Sequence, residues 1–247
     1  MEYRARISAK ATWASIERQD HTIMKQVLRG VAHSVIPESR TLRYLTYVGS
    51  LRRWRQTRAG SYRILGDREA LYEYVNKEVL GNGEIDYLEF GVYRGESLMA
   101  WVQLNSNPNS RFYGFDTFTG HPEAWQKFSG TVKEGTFDAG GALPRIADGR
   151  VSFYKGLFRE TLAPFLKDYR GGRTAVVHND CDLYSATLYV LTQVDRIAKH
   201  GTIIIFDEFT SLLDEFRALE DYCAAYRRNY EVVASTPHNI QIAIRLL

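Results

Sequence analysis

The sequence predicts an α/β fold built on a doubly wound, mostly parallel sheet of seven strands. Three observations favour it. After residue 85, apolar runs alternate with helical patterns, and a glycine-bearing turn follows the first run. The chain then closes with two strand-like runs, 230–235 and 239–246, separated by TPH. Alternating strands and helices are typical of a parallel sheet, whereas a closing pair of this kind indicates an antiparallel hairpin.

The first strand, turn and helix of this sheet are expected within residues 85–116. An apolar run leads to Glu89, the turn EFGVYRG carries Gly91 and Gly95, and a helix is expected to begin near Ser97. Glycine adopts positive φ and lets a ligand approach the backbone, and the amides at the start of a helix point towards that ligand. This turn is therefore a candidate binding turn, with tight packing alone as the alternative.

Asp116 indicates which ligand the turn binds. It lies 21 residues beyond Gly95 and ends the second apolar run, where an acid would hold the two ribose hydroxyls of a nucleoside. A dinucleotide site would have three glycines, but Tyr93 stands in the place of the second. Glu89, two residues before Gly91, disfavours a phosphate and suits an ammonium group. The pattern favours S-adenosylmethionine over a dinucleotide.

The remaining strands and helices follow in alternation. Strands are expected at 151–156, 174–182 and 202–209, and helices at 158–169, 184–200 and 212–228. The glycine-rich stretch between Asp116 and Gly149 has little periodicity. A long loop of this kind after a cofactor-binding strand is predicted to be either a lid over the substrate or a disordered segment.

The N-terminal part of the chain is basic and predicted to be helical. Residues 1–63 carry 13 Lys and Arg against 4 acids. Helices are predicted at 22–35 and 39–58, followed by a linker over 58–66 and a helix over 67–79. We therefore expect an extension over 1–66 and a catalytic domain over 67–247. The extension matches no nucleic-acid module, so subunit contacts in a homo-oligomer are expected rather than RNA or DNA binding.

The composition also excludes several classes of protein. No apolar run approaches the roughly 20 residues needed to span a bilayer, and the N-terminus lacks the apolar centre of a secretory signal. Cys181 and Cys223 match neither a disulfide framework nor a zinc spacing, and both are expected to be buried. The expectation is a soluble cytoplasmic protein.

Acids follow both the fourth and the fifth predicted strands. Asp180 and Asp182 end the fourth, and Asp207 and Glu208 end the fifth. Because ligands bind at the carboxyl ends of parallel strands, these acids should meet beside the glycine turn. Their mutual repulsion would be relieved by a hard cation such as Mg²⁺. His178 is expected to point away from them, which disfavours zinc. The alternative is that the acids cap helices or form salt bridges.

These motifs together resemble the macrocin O-methyltransferase family of sugar-modifying enzymes. The strings that carry the resemblance are EFGVYRG, GFDTFTGHPEAW, KGLFRETLAPF, HNDCDLYSATLYVL and TIIIFDEF, within about residues 85–247. The resemblance implies a class I methyltransferase, Rossmann-like fold. It implies a cofactor site formed by Glu89, Gly91, Tyr93, Gly95, Ser97, Asp116, Thr117 and Gly156. It further implies metal ligands at Asp180, Asp207 and Glu208, and a catalytic site at Asp180 and Asp182, with Asp182 as general base.

Three positions depart from the family pattern. Glu208 replaces a second aspartate, Asn179 replaces an apolar residue, and His121 replaces a leucine in the loop after Asp116. These departures bear on the identity of the acceptor more than on the fold or the cofactor.

The predicted function is transfer of a methyl group from S-adenosylmethionine to a hydroxyl of a sugar or polyol-like small molecule, assisted by Mg²⁺ or another hard cation. Three alternatives stay open at this stage. They are a nicotinamide-dependent oxidoreductase, a non-catalytic binding protein that retains the fold, and an RNA methyltransferase guided by the basic extension.

Overall fold

An eight-stranded sheet organises the part of the chain that the computed structural model describes, which comprises residues 25, 39–127 and 129–247. The strands are β1 (Arg63–Ile64), β2 (Ile85–Phe90), β3 (Arg111–Asp116), β4 (Trp125–Lys127), β5 (Gly130–Val132), β6 (Val151–Lys155), β7 (Thr174–Asn179), β8 (Ile203–Phe206), β9 (Tyr230–Ser235) and β10 (Ile242–Leu246). The helices are α1 (Arg40–Arg58), α2 (Arg68–Tyr74), α3 (Glu96–Leu104), α4 (Phe158–Asp168), α5 (Tyr184–Val194) and α6 (Glu215–Tyr226). A π-helical turn, Val75–Val79, continues α2, and residues Tyr44–Leu247 form one compact unit.

The strand order is β1-β9-β10-β8-β7-β2-β3-β6, with β4 and β5 in a separate hairpin. β10 pairs antiparallel with β8 and β9, and the other pairs of the main sheet are parallel. The doubly wound, mostly parallel fold and its closing hairpin are therefore confirmed.

The predicted number of seven strands is wrong, because β1 adds an eighth. Arg63 pairs with Ala234 and Ile64 with Ser235, within the stretch expected to be a linker. Two residues are too short for any periodicity to reveal them. The shortness of β1 thus hid it in the sequence.

Alternate residues of the central strands point to opposite faces of the sheet and pack into two separate cores, because successive side chains of a strand point in opposite directions. Leu88, Val177 and Ile204 pack in one cluster with side chains of α1, α4, α5 and α6. Tyr87 and Val176 pack in the other, with side chains of α2 and α3. Burial on both faces explains the uninterrupted apolar run of β8, and every residue of β2 is likewise buried.

The position of β2 fixes where a ligand can bind. The chain passes from β2 to β3 and β6 on one side of the sheet, then returns to β7 and β8 on the other side of β2. A crevice opens outside the carboxyl ends of strands where the order reverses in this way. The predicted acids and the glycine turn all follow strands at this point.

Several predicted boundaries shift. The helix expected over 184–200 ends at Val194, the strand expected over 174–182 ends at Asn179, and the helix expected over 212–228 begins at Glu215. Cys181 is buried and Cys223 half-buried, and both are free. Of the helix predicted over 22–35, only Lys25 is among the described residues. None of the described helices is long and apolar enough to cross a membrane.

Candidate active site

A cavity of about 710 Å³ lies at the carboxyl ends of the central strands. The predicted site residues that line it are Gly91, Tyr93, Asp116, Thr117, Asp180, Asp182, Asp207 and Glu208. Glu89 and Ser97 are buried beneath the turn, and Gly156 lines an adjoining cavity of about 630 Å³. The two cavities share the loop after β3, so the predicted residues gather around one crevice.

The acids after β7 and β8 converge as expected. One ligand atom each of His178, Asp180 and Asp207 lies within 4.8 Å of the others. Glu208 lines the same cavity without belonging to that group. The expectation that His178 points away from the acids is wrong. His178 and Asp180 are two residues apart, and alternation in an extended chain places such residues on the same side.

Burial and charge determine the electrostatics of this cluster. Burial, reinforced by the neighbouring Asp207, raises the pKa of Asp180 well above its usual range. Burial also opposes the charge on His178, but the carboxylates of Asp207 and Glu89 outweigh it and raise the pKa of His178 to about 10. A protonated imidazole has no lone pair for a metal. A protonated His178 balances part of the carboxylate charge in this cluster.

A chain of buried hydrogen bonds links this cluster to the glycine turn. Ser97 Oγ donates to Glu89 Oε1 at 2.5 Å, and Tyr87 Oη donates to Glu89 Oε2 at 2.7 Å. His178 Nδ1 lies 2.7 Å from the Tyr87 oxygen, and Tyr72 Oη lies 3.4 Å from Nε2. Sequence reasoning missed both tyrosines, because each reads as an ordinary core aromatic.

Close contacts with other protein atoms explain why both positions of the turn are glycine. Gly91 has φ +94°, and a Cβ there would lie 1.8 Å from the carbonyl oxygen of Asp180. Gly95 has φ +80°, and a Cβ there would lie 2.8 Å from Cβ of Pro144. The physical reason for Gly91 is thus its contact with the loop after β7, where the sequence suggested approach by a ligand. That contact brings the turn and the acids together.

Asp116 organises the same turn from the end of β3. Its Oδ2 accepts hydrogen bonds from the amides of Val92 and Tyr93 at 2.7 Å each, and its Oδ1 accepts one from Phe118 at 2.7 Å. The carboxylate also lines the cavity. Its predicted contact with ribose stays a prediction, and its role in shaping the turn is an addition that spacing alone did not reveal.

Glu215 is a second residue that sequence reasoning missed. Its side chain is fully buried in α6, and its Oε2 accepts the amide hydrogen of Glu208 at 2.9 Å. Burial, with the nearby charge of Asp207, raises the pKa of Glu215 well above its usual range. Glu215 fixes the backbone that carries Glu208. A glutamate at the start of a helix gives no such signal in the sequence.

Comparison with known protein families places one family model on the central part of the chain. Residues 88–209 match the family model described as a methyltransferase domain. The chain carries a methyltransferase domain. Its mostly parallel sheet with the closing hairpin is the class I methyltransferase fold, and S-adenosylmethionine is the methyl donor of this group. No curated protein sequence matches the chain.

Solved structures support the fold of this methyltransferase domain. CalS11, a calicheamicin methyltransferase, is 21% identical, with a TM-score of 0.58 and 92% of each chain covered. The O-methyltransferase NovP is 20% identical, with a TM-score of 0.56, 72% of this chain and 78% of NovP covered. A structure described as cmcI-D160 Mg-SAM is 15% identical, with a TM-score of 0.50, 75% of this chain and 74% of the other covered.

Proposed function

We propose that this methyltransferase transfers the methyl group to a hydroxyl of a sugar or polyol-like small molecule, with a hard divalent cation at the acceptor side. The observation that carries the proposal is the shared crevice: the acids Asp180, Asp182, Asp207 and Glu208 line the same cavity as the Gly91 turn. A methyl donor and a cation-bound acceptor would then lie side by side, which suits an oxygen nucleophile.

The cofactor side of the crevice offers a wall that suits a nucleoside. Tyr93, Asp116 and Thr117 line it, and the turn between Gly91 and Gly95 leads into the first amides of α3. S-adenosylmethionine, when bound, supplies a methyl group on a sulfonium. We assign the binding of its ribose to Asp116. We assign the turn above the buried Glu89 to its methionine end.

The cation side fits a metal on two observations. Oδ1 of Asp207 is buried without a hydrogen-bond partner among the described residues, and its distance of 3.9 Å to His178 Nε2 is too long to count as one. Asp180, beside it, ionises reluctantly, and a cation would relieve that cost. We assign the ligands to Asp180, Asp207 and Glu208. A cation so held would lower the pKa of a coordinated hydroxyl.

Asp182 is the proposed general base. It lines the crevice two residues beyond Asp180, and its backbone has φ +61°, an uncommon conformation for a residue other than glycine. In the mechanism, Asp182 accepts the hydroxyl proton while the crevice aligns the acceptor oxygen with the methyl group. Alignment accounts for most of the acceleration, because methyl transfer needs a poised nucleophile and little else.

The acceptor side of the crevice is both aromatic and basic. Trp125 and Phe137 line it together with the cationic side chains of Arg68, Lys127 and Arg159. Such a lining suits a sugar that carries a phosphate or nucleotide group. CalS11 is described as a TDP-rhamnose 3'-O-methyltransferase. This supports TDP-rhamnose as a first acceptor to test.

The basic extension, residues 1–66, is proposed to mediate contacts between subunits of a homo-oligomer, with residues 67–247 as the catalytic domain. Analytical ultracentrifugation of the full chain tests this. A monomer at micromolar concentration would contradict the oligomer.

The experiment on function measures formation of S-adenosylhomocysteine from S-adenosylmethionine and Mg²⁺ with TDP-rhamnose, a glycosylated macrolide or catechol as acceptor. Asp207→Ala should abolish transfer while leaving the affinity for S-adenosylhomocysteine within a few fold. The matched control is Asp168→Ala, because Asp168 is an exposed acid at the end of α4. Unchanged turnover of the wild-type protein in EDTA would exclude the metal from the mechanism. Absence of methyl transfer to all of these hydroxyl acceptors would refute the proposed reaction.

A further inference from the structure

Three residues of the loop after β3, His121, Glu123 and Trp125, make polar contacts with segments that follow β7 and β8. The contacts are His121 Nε2 to Asp182 Oδ2 at 2.9 Å, Ser185 Oγ to Glu123 Oε1 at 2.5 Å, and Trp125 Nε1 to Asp214 Oδ2 at 2.9 Å. These contacts tie the loop to the segments after β7 and β8, and the first of them reaches the proposed base, Asp182.

The ring of His121 is held rigidly in this position. It packs edge-on against Phe137, with ring centroids 5.2 Å apart, and against Trp125, with centroids 6.0 Å apart. Backbone hydrogen bonds of 3.0 Å join the amide of His121 to Thr136 and its carbonyl to Gly135. A ring held on both sides and at its backbone presents its nitrogen at a fixed place.

The direction of the hydrogen bond follows from the chemistry of its two partners. An ionised carboxylate only accepts, so Nε2 of His121 carries the hydrogen and donates it to Asp182. Both side chains are about 10% exposed, so water screens this bond poorly. Nδ1 is buried without a hydrogen-bond partner among the described residues. A hydrogen bond at Nδ1 would indicate that the ring has a structural role, but no described residue makes one.

The conformation of Asp182 explains why such a contact matters. A residue other than glycine at φ +61° persists only where its surroundings hold it there. The hydrogen bond from His121 links the loop after β3 to the loop after β7 and holds the carboxylate of Asp182 in place.

We infer that His121 is a positioning residue for methyl transfer, which holds the Asp182 carboxylate towards the acceptor hydroxyl when the lid covers the crevice. The inference rests on the proposed function, because it takes Asp182 as the base. In the transfer step the acceptor oxygen gives its proton to Asp182 and forms a bond to the methyl carbon. The carbon–sulfur bond breaks with its electron pair left on sulfur, and His121 keeps its hydrogen throughout.

The test compares two replacements of His121. His121→Leu removes the donor, and we expect kcat to fall about 10- to 100-fold, a part of the 10²–10⁴-fold that general-base catalysis contributes. KM for the acceptor and the affinity for S-adenosylhomocysteine should stay within about threefold, since Asp182 acts on the transition state. His121→Gln restores a donor near the Nε2 position and should recover most of kcat. His200→Leu, at an exposed histidine in the loop before β8, is the matched control.

A double-mutant cycle separates positioning from general packing. If His121 acts through Asp182, His121→Leu should change kcat less than twofold in the Asp182→Asn background. A loss of the same size in both backgrounds, or an unchanged kcat in His121→Leu, would overturn the inference. Thermal unfolding of each variant shows whether the fold is kept.

A crystal structure of His121→Leu decides the inference even if the wild-type protein methylates none of the hydroxyl acceptors. In that case the proposed reaction fails, but the position of Asp182 can still be compared between the variant and the wild-type protein. We expect its backbone to leave the left-handed region or its carboxylate to turn away from the crevice. An Asp182 superimposable on that of the wild-type protein would contradict a positioning role.

Discussion

Replacing Gly91 with alanine tests the contact that joins the glycine turn to the acid cluster. Gly91 has φ +94°, and an added Cβ would lie 1.8 Å from the carbonyl oxygen of Asp180. Gly201 provides a matched control, because its φ is +91° and an added Cβ would meet nothing within 4 Å. Both substitutions add a Cβ at a residue with nearly the same φ, so the variants differ in the steric clash with Asp180, which only Gly91→Ala makes.

The magnitude follows from the two costs. A left-handed backbone conformation costs a residue with a Cβ about 1–2 kcal/mol, and both variants incur it. A carbon–oxygen contact needs about 3.3 Å, so the turn and the loop after β7 must separate by about 1.5 Å in Gly91→Ala. Overpacking of this kind costs a further ~1–3 kcal/mol. We expect Gly201→Ala to lose about 1–2 kcal/mol of unfolding free energy and Gly91→Ala about 2–5 kcal/mol.

Urea unfolding followed by circular dichroism measures both losses. The extra ~1–3 kcal/mol in Gly91→Ala should lower its Tm by about 2–12 °C below that of Gly201→Ala, given 2–4 °C per kcal/mol at this chain length. Calorimetry with S-adenosylhomocysteine should show weaker binding in Gly91→Ala and unchanged binding in Gly201→Ala. Equal destabilisation and equal affinity in the two variants would refute the assignment of Gly91 to the contact with Asp180.

Two further predictions concern acids outside the lining of the crevice. Burial opposes ionisation of Asp195, but hydrogen bonds of 2.7 Å from Arg228 and Tyr222 outweigh it and hold its pKa below the usual value. The stabilisation is therefore present above about pH 4, the unfolded pKa. It is lost as the pH falls through the folded pKa, so Asp195→Asn should cost ~1 kcal/mol at pH 7 and progressively less below pH 4 in urea titrations. Burial raises the pKa of Glu215 and so favours its neutral form. Glu215→Gln should therefore keep Tm within about 2 °C, whereas Glu215→Leu leaves the Glu208 amide unpaired and should cost ~1–3 kcal/mol. A larger loss in Glu215→Gln would show that the carboxyl is ionised.

The sequence allowed the sheet and its crevice to be predicted because their signals are local. Apolar runs mark β2 and β8, and acids at strand ends mark the site, since parallel strands bring their carboxyl ends together. The two-residue strand β1 and the partners Tyr87 and His121 could not be predicted in this way. Their roles depend on pairing with residues far away in the chain, such as Ser235 for β1 and Asp182 for His121.

Asp180 shows why the position of the acids relative to the turn is a property of the tertiary structure. Its amide donates to the carbonyl of Phe90 at 2.9 Å, and its own carbonyl lies against Gly91. The same residue offers its carboxylate to the cluster with Asp207. Asp180 therefore both touches the glycine turn and carries an acid of the proposed cation site. If the proposed sites are correct, the separation between methyl donor and activated hydroxyl is set by this backbone contact. A shift of about 1 Å at this contact would then misalign transfer, which is costly where catalysis depends on alignment.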